Sequence, residues 1–249
     1  MGSALKPFWR YFGGKWRAAP HYPKPLLDTI VEPFAGAAGY SLRYPERKVI
    51  LVEKYAVIAE IWRYLIGVKE SEVRAIPCVD AVGDLPPWVP QPARDLVGFT
   101  LNDAVVAPCK TLSAGLRSLR DKGPSGAIYG WSERARERVA SQVGAIRHWR
   151  VIEGDYSDAP NCAATWFIDP PYHRSGTHYV HGSRSIDFAQ LGVWCRTREG
   201  QPIVCEQAGA DWLPFAPFRS IKASDMNRTT AGVSHEVIWT GDKASEVAA

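Results

Sequence analysis

The chain has 249 residues, 46% hydrophobic and 22% charged, a globular composition that argues against disorder and gives room for one large domain with an insert or two small domains. No stretch reaches the apolar length of a membrane span, and the start MGSALKPFWRYF lacks a signal-peptide layout, with Lys6 breaking the myristoylation pattern; the expected location is the cytoplasm. The net charge of +4 suits a polyanionic partner without requiring one, and five scattered cysteines, none spaced C-x-x-C, read as reduced core thiols with neither metal nor disulfide.

The first segment with chemical character is Arg10-Tyr11-Phe12-Gly13-Gly14-Lys15-Trp16-Arg17. Its rings, paired glycines and bases can stack a nucleobase and contact phosphate, or form a plain basic tail. Thr29–Glu32 then reads as a strand, followed by the turn Glu32-Pro33-Phe34-Ala35-Gly36-Ala37-Ala38-Gly39-Tyr40 and a helical stretch. Glycines at 36 and 39 allow a tight turn and close approach of a ligand; an ordinary strand–helix connection would look similar. The turn is not a phosphate loop, because no Lys-Ser/Thr follows it. Val49–Glu53 is a second strand, and an acid at its end can accept hydrogen bonds from both hydroxyls of a ribose. Ala56–Ile66 has helical spacing.

Residues 67–148 differ in composition. The stretch 77–92 is proline-rich and cannot form a long helix. Residues 110–131 are basic and glycine-containing: Arg117, Arg120 and Lys122 precede the turn-forming Gly123-Pro124-Ser125-Gly126, then come Ile128, Tyr129 and Trp131. A helix over 132–149 starts on the N-cap Ser132 and carries Arg134 and Arg138 one turn apart. These cations and rings could face a polyanion; a solvated basic face beside a buried Tyr and Trp is the plainer alternative.

Strands resume at Val151–Glu153, ahead of Asp155-Tyr156, and at Thr165–Ile168, which runs into Asp169-Pro170-Pro171-Tyr172. Two prolines after an apolar strand impose a stiff, extended backbone. They hold a carboxylate, a carbonyl and an aromatic ring together, which suits an amino group on a planar heterocycle. Ile203–Glu206 and a late, antiparallel His235–Thr240 complete the strands. Uninterrupted apolar runs point to a parallel sheet covered on both faces, so the expected class is α/β, doubly wound and Rossmann-like.

Together these motifs resemble the Dam-type family of DNA adenine methyltransferases. Tyr11-Phe12-Gly13-Gly14-Lys15 is similar to the family's W-A-G-G-K cofactor motif, and Glu32–Gly39 to its E-P-F-x-G-x-G turn, which wraps the methionine part of the cofactor. Glu53 fits the ribose-holding acid, with Lys54 beside it, and Asp155-Tyr156 resembles the Asp-Phe at the cofactor adenine. Asp169–Tyr172 matches the catalytic DPPY without change. Tyr11 stands for the usual Trp, Glu53 for the commoner Asp, and the Asn often found after position 56 is missing.

The resemblance implies a catalytic domain from 1–66 and 149–249, binding S-adenosylmethionine, and an inserted, mainly helical target-recognition domain at 67–148 that binds double-stranded DNA. It implies that Asp169, Pro170, Pro171 and Tyr172 act on a flipped adenine. Tyr11, Gly14, Lys15, Glu32, Pro33, Phe34, Ala35, Gly36, Gly39, Glu53, Lys54, Asp155, Tyr156 and Asp169 would surround the cofactor. Lys15, Arg117, Arg120, Lys122, Tyr129, Trp131, Arg134 and Arg138 would meet DNA, and a monomer is the favoured state. Amino-cytosine methylation and a catalytically silent DNA-binding relative are the alternatives. Cytosine carbon-5 chemistry would need Cys78 or Cys109 after its proline and leaves DPPY unexplained.

Overall fold

Strand β1 (Thr29–Glu32) lies at the middle of a seven-stranded sheet of order β3-β2-β1-β4-β5-β7-β6. A computed structural model describes residues 3–122, 129–222 and 233–241. β2 (Lys48–Glu53), β3 (Arg150–Glu153), β4 (Ala164–Ile168) and β5 (Gly200–Gln207) all run parallel to β1. The chain leaves β1 in one direction to β2 and returns on its other side as β4, so the strand order reverses between β1 and β4. Such a switch point opens a crevice at the carboxyl ends of the strands. β4 is buried at all five positions, as expected of a strand covered on both faces.

β7 (Val233–Trp239) is antiparallel to both β5 and the edge strand β6 (Ala216–Lys222). β6 is not evident in the sequence because Pro217 cannot donate to a ladder and the register shifts at Pro217/Arg219, features tolerated at an edge. The glycine turn does not run into a helix. One 3-10 turn, Ser41–Arg43, follows it, and Pro45 prevents its extension.

Helix α1 (Ala56–Gly67) buries Ile58, Ile61, Trp62 and Leu65. The segment 67–148 adds α2 (Glu70–Ala75), α3 (Gln91–Leu101), α4 (Ala114–Asp121) and α5 (Glu133–Val143). α3 begins where the proline-rich stretch ends, with Pro92 in the first turn, where its missing N–H costs nothing. Ser132 caps α5, its hydroxyl accepting from Ala135 N, and the helix stops at Val143, short of the expected 149.

Val73, Leu96, Val97, Phe99 and Val139 from this segment share one core with Ile58, Trp62, Phe8 and Trp9. The expected insert is therefore helical but packs as part of the main core. Helix α6 (Phe188–Arg196) covers the opposite face, where Leu191 and Cys195 meet Trp166 and Val204.

Candidate functional site

A cavity of about 890 Å³, counting its open mouth, lies at the carboxyl ends of β1, β2 and β4. Every position that the sequence assigns to the cofactor lines it: Tyr11, Gly14, Lys15, Glu32, Pro33, Phe34, Ala35, Gly36, Gly39, Glu53, Lys54, Asp155, Tyr156 and Asp169. Residues 158 positions apart in sequence thus meet because the sheet brings their strand ends together.

The turn after β1 is built around two left-handed residues, Gly36 (φ 45°) and Ala38 (φ 47°). A side chain on Gly36 would come within 3.2 Å of the Tyr11 ring, so its absence seats that ring against the turn. Counted from Glu32, the second glycine of E-P-F-x-G-x-G falls at position 38, where this chain has a buried alanine in a backbone conformation that favours glycine. Gly39 serves a different need: a Cβ there would lie 2.6 Å from Trp16 N.

Glu53 ties this turn to β2. One carboxylate oxygen accepts from Gly36 N at 2.9 Å, the other from Tyr55 N at 2.9 Å. Burial raises its pKa against those backbone N–H groups. Each oxygen keeps a further lone pair for a hydroxyl donor. Glu32 faces inward instead: 2% exposed, it accepts from Ser41 N at 2.7 Å, and burial pushes its carboxyl up to about 8 despite the Ser41 hydrogen bonds. On the far wall Phe34 stacks on Tyr156 with centroids 5.5 Å apart, and Lys54 pairs with Asp155 at 2.8 Å.

Asp169 closes the other end. Its Oδ1 lies 2.9 Å from Lys15 Nζ as an ion pair but lacks hydrogen-bond alignment, leaving a buried acceptor without a hydrogen-bond partner. Burial pushes the Asp169 carboxyl up to about 6, opposed by Lys15. Burial alone would lower Lys15, yet the Asp169 charge holds its ammonium above the usual lysine range. Lys15 also donates to Gly13 O at 3.2 Å and lies 4.7 Å from the Tyr172 ring centroid. Pro171 lines the cavity, while Pro170 is buried and Tyr172 half-buried beside it.

Tyr179, Val180, His181, Ser185 and Ile186 form a wall that the sequence motifs miss. Tyr179 packs 5.9 Å from Tyr11 and 5.8 Å from Phe12 and donates its hydroxyl to Phe12 O. Their only signal was a position shortly after DPPY.

The residues expected to face DNA are not all exposed. Arg117 lies 3.4 Å from Asp80, and Arg120 grips the same carboxylate with two nitrogens, while Lys122 is exposed. Arg10 pairs with Asp103 and lies over Tyr129, centroid 5.6 Å away. Arg134 is exposed; Arg138 is half-buried, reaching Phe8 O, with its pKa lowered by burial and then by Arg10 and Arg134. Two of the expected residues sit elsewhere. Trp131 is 1% exposed and belongs to the core, and Lys15 lies inside the cavity at 9%. Gly123-Pro124-Ser125-Gly126 and Ile128 lie outside the described residues.

Among the cysteines Cys195 and Cys205 are buried, but Cys78 is exposed, contrary to the core reading, because it follows Pro77 in an open loop. Among the described residues no group of three or more His, Cys, Asp or Glu could hold a metal ion, and no helix is long and apolar enough to cross a membrane. No protein-family model matches the chain, and no curated protein does so either.

Proposed function

We propose that the chain is an S-adenosylmethionine-dependent DNA methyltransferase acting on the exocyclic amine of adenine. One observation carries the reading: the glycine turn, Glu53 and the Asp169 carboxylate open into the same cavity. The donor set fits the cofactor. Glu53 has free lone pairs for the ribose hydroxyls, and Phe34 and Tyr156 offer apolar rings.

S-adenosylmethionine supplies an electrophilic methyl group when bound. The chain's part is to prepare the acceptor. An aromatic amine is a poor nucleophile because its lone pair is delocalised into the ring. Asp169 Oδ1, an acceptor without a hydrogen-bond partner, and the Pro170 carbonyl would take the two amine hydrogens and localise that lone pair. Tyr172 would stack on the base, which must leave the duplex to reach it. After transfer the nitrogen must lose a proton, and a carboxylate held near 6 can take it. In the same reading α4, α5 and Arg10 present cations to double-stranded DNA.

The test is incubation of the purified protein with S-adenosylmethionine and DNA, followed by nucleoside mass spectrometry. N6-methyladenine is expected. N4-methylcytosine would transfer the reading to the cytosine amine, and unmodified DNA across diverse sequences would refute catalysis.

A further inference from the structure

Two buried acids from the antiparallel end of the sheet hold the DPPY loop from behind. Glu206, at 1% exposure on β5, accepts from His173 N at 3.1 Å and from Trp212 Nε1 at 3.0 Å. Glu236, at 7% exposure on β7, accepts the Tyr172 hydroxyl at 3.2 Å with one oxygen and the Tyr22 hydroxyl at 3.3 Å with the other. β5 and β7 are neighbours, with Gln207 opposite Glu236, so consecutive residues 172 and 173 are held by adjacent strands.

We infer that Glu236 is a positioning residue that fixes where the Tyr172 ring lies; this rests on the reading of Tyr172 as the ring on which the target base stacks. A tyrosine side chain can swing about its first torsion between staggered positions, and stacking needs the ring in one place. A hydrogen bond at the hydroxyl, the atom furthest from the backbone, pins the far end of the ring and opposes that swing. Glu236 can act as a fixed point because its second oxygen is bound to Tyr22. That ring is 3% exposed, stacked on Phe218 at 4.6 Å and edge-on to Phe167 at 5.1 Å. Stability alone gives little reason for the arrangement. A carboxylate is costly to bury, and an apolar pair would fill the same volume more favourably. The β-register adds a constraint, since a slip of one residue in β7 would turn Glu236 to the other face.

The experiment compares wild type with Glu236→Ala, Glu236→Gln, Tyr172→Phe and the Glu236→Ala/Tyr172→Phe double variant. It measures methyl-transfer kinetics, cofactor affinity and the NMR signals of tyrosines labelled at the ring carbon that bears oxygen. Glu236→Ala is expected to lower kcat by about tenfold to a hundredfold, the cost of a misplaced reacting group, with cofactor affinity unchanged. Glu236→Gln keeps an acceptor and should recover most of that loss. Tyr172→Phe cuts the same bond from the other side, so the double variant should be no worse than the poorer single. The Tyr172 resonance, identified by its disappearance in Tyr172→Phe, should move in Glu236→Ala. Additive losses, or an unmoved resonance with unchanged kcat, would overturn the inference. If wild type transfers no methyl group, the methyltransferase reading falls, and the resonance alone decides whether Glu236 holds Tyr172.

Discussion

The Lys15 ammonium lies 2.9 Å from Asp169 Oδ1 and 4.7 Å from the centroid of the Tyr172 ring. Those two groups are the ones proposed to receive the target amine, so an amine-bearing base and the Lys15 ammonium compete for one place.

That pairing sets a pH dependence. Asp169 can take the proton released by the methylated amine only when ionised, and its carboxyl is held at about 6, above its ordinary 3.8. kcat/KM should therefore rise as pH passes about 6. Lys15→Met removes the charge opposing the shift and should move the acid limb to higher pH. Asp169→Ala should abolish transfer, a loss of about a hundredfold or more, with cofactor binding still measurable. Turnover in Asp169→Ala equal to wild type would remove Asp169 from the chemistry.

Glu53→Ala should weaken cofactor binding by about tenfold or more, because ribose hydroxyls lose a charged acceptor. It also strips the partners from Gly36 N and Tyr55 N, so a lower Tm is expected alongside. Calorimetry giving equal affinity in both proteins would place the ribose elsewhere.

Glu32 predicts a stability effect. Its carboxyl is raised from 4.5 to about 8 by burial. The folded state thus keeps a proton that the unfolded chain releases, and the associated stability is full below 4.5 and lost as pH rises to about 8. The slope is up to about 1.4 kcal/mol per pH unit. Glu32→Gln mimics the protonated acid. Denaturant titrations should show the variant gaining on wild type as pH rises from 5 to 8; parallel curves would contradict a protonated Glu32.

Replacing Arg117, Arg120 and Lys122 by Ala should weaken DNA binding and flatten its salt dependence, leaving cofactor affinity unchanged. Arg120 complicates the outcome, because its two-pronged grip on Asp80 anchors α4. Arg117→Ala/Lys122→Ala, which spares that anchor, should still reduce the salt slope. A DNA affinity and slope equal to wild type in both variants would assign this face to another partner.

Local chemistry was the legible part of the sequence. Short apolar runs ending in Glu32, Glu53 and Ile168 marked the parallel strands, and motif residues at their ends converged on one cavity. β6 was missed because an edge strand needs no apolar run, and the Tyr179–Ile186 wall because it carries no spacing rule. Trp131 was misplaced for a related reason: a ring following a basic stretch looks the same whether it faces a ligand or a core. Glu236 had no local signal, since only the β5–β7 pairing brings it to Tyr172.

Trp62 lies 5.2 Å from Trp9 and donates its indole N–H to Gly36 O at 2.8 Å; Phe99 of α3 lies 5.9 Å from Trp9 and 5.9 Å from Tyr11. A helix of the central segment is thereby a wall support of the cavity. Residues 67–148 are accordingly not an interchangeable cassette. Exchanging them for the matching stretch of another chain would take away the ring that packs against Trp9 and Tyr11, so a replacement would have to bring its own Phe99.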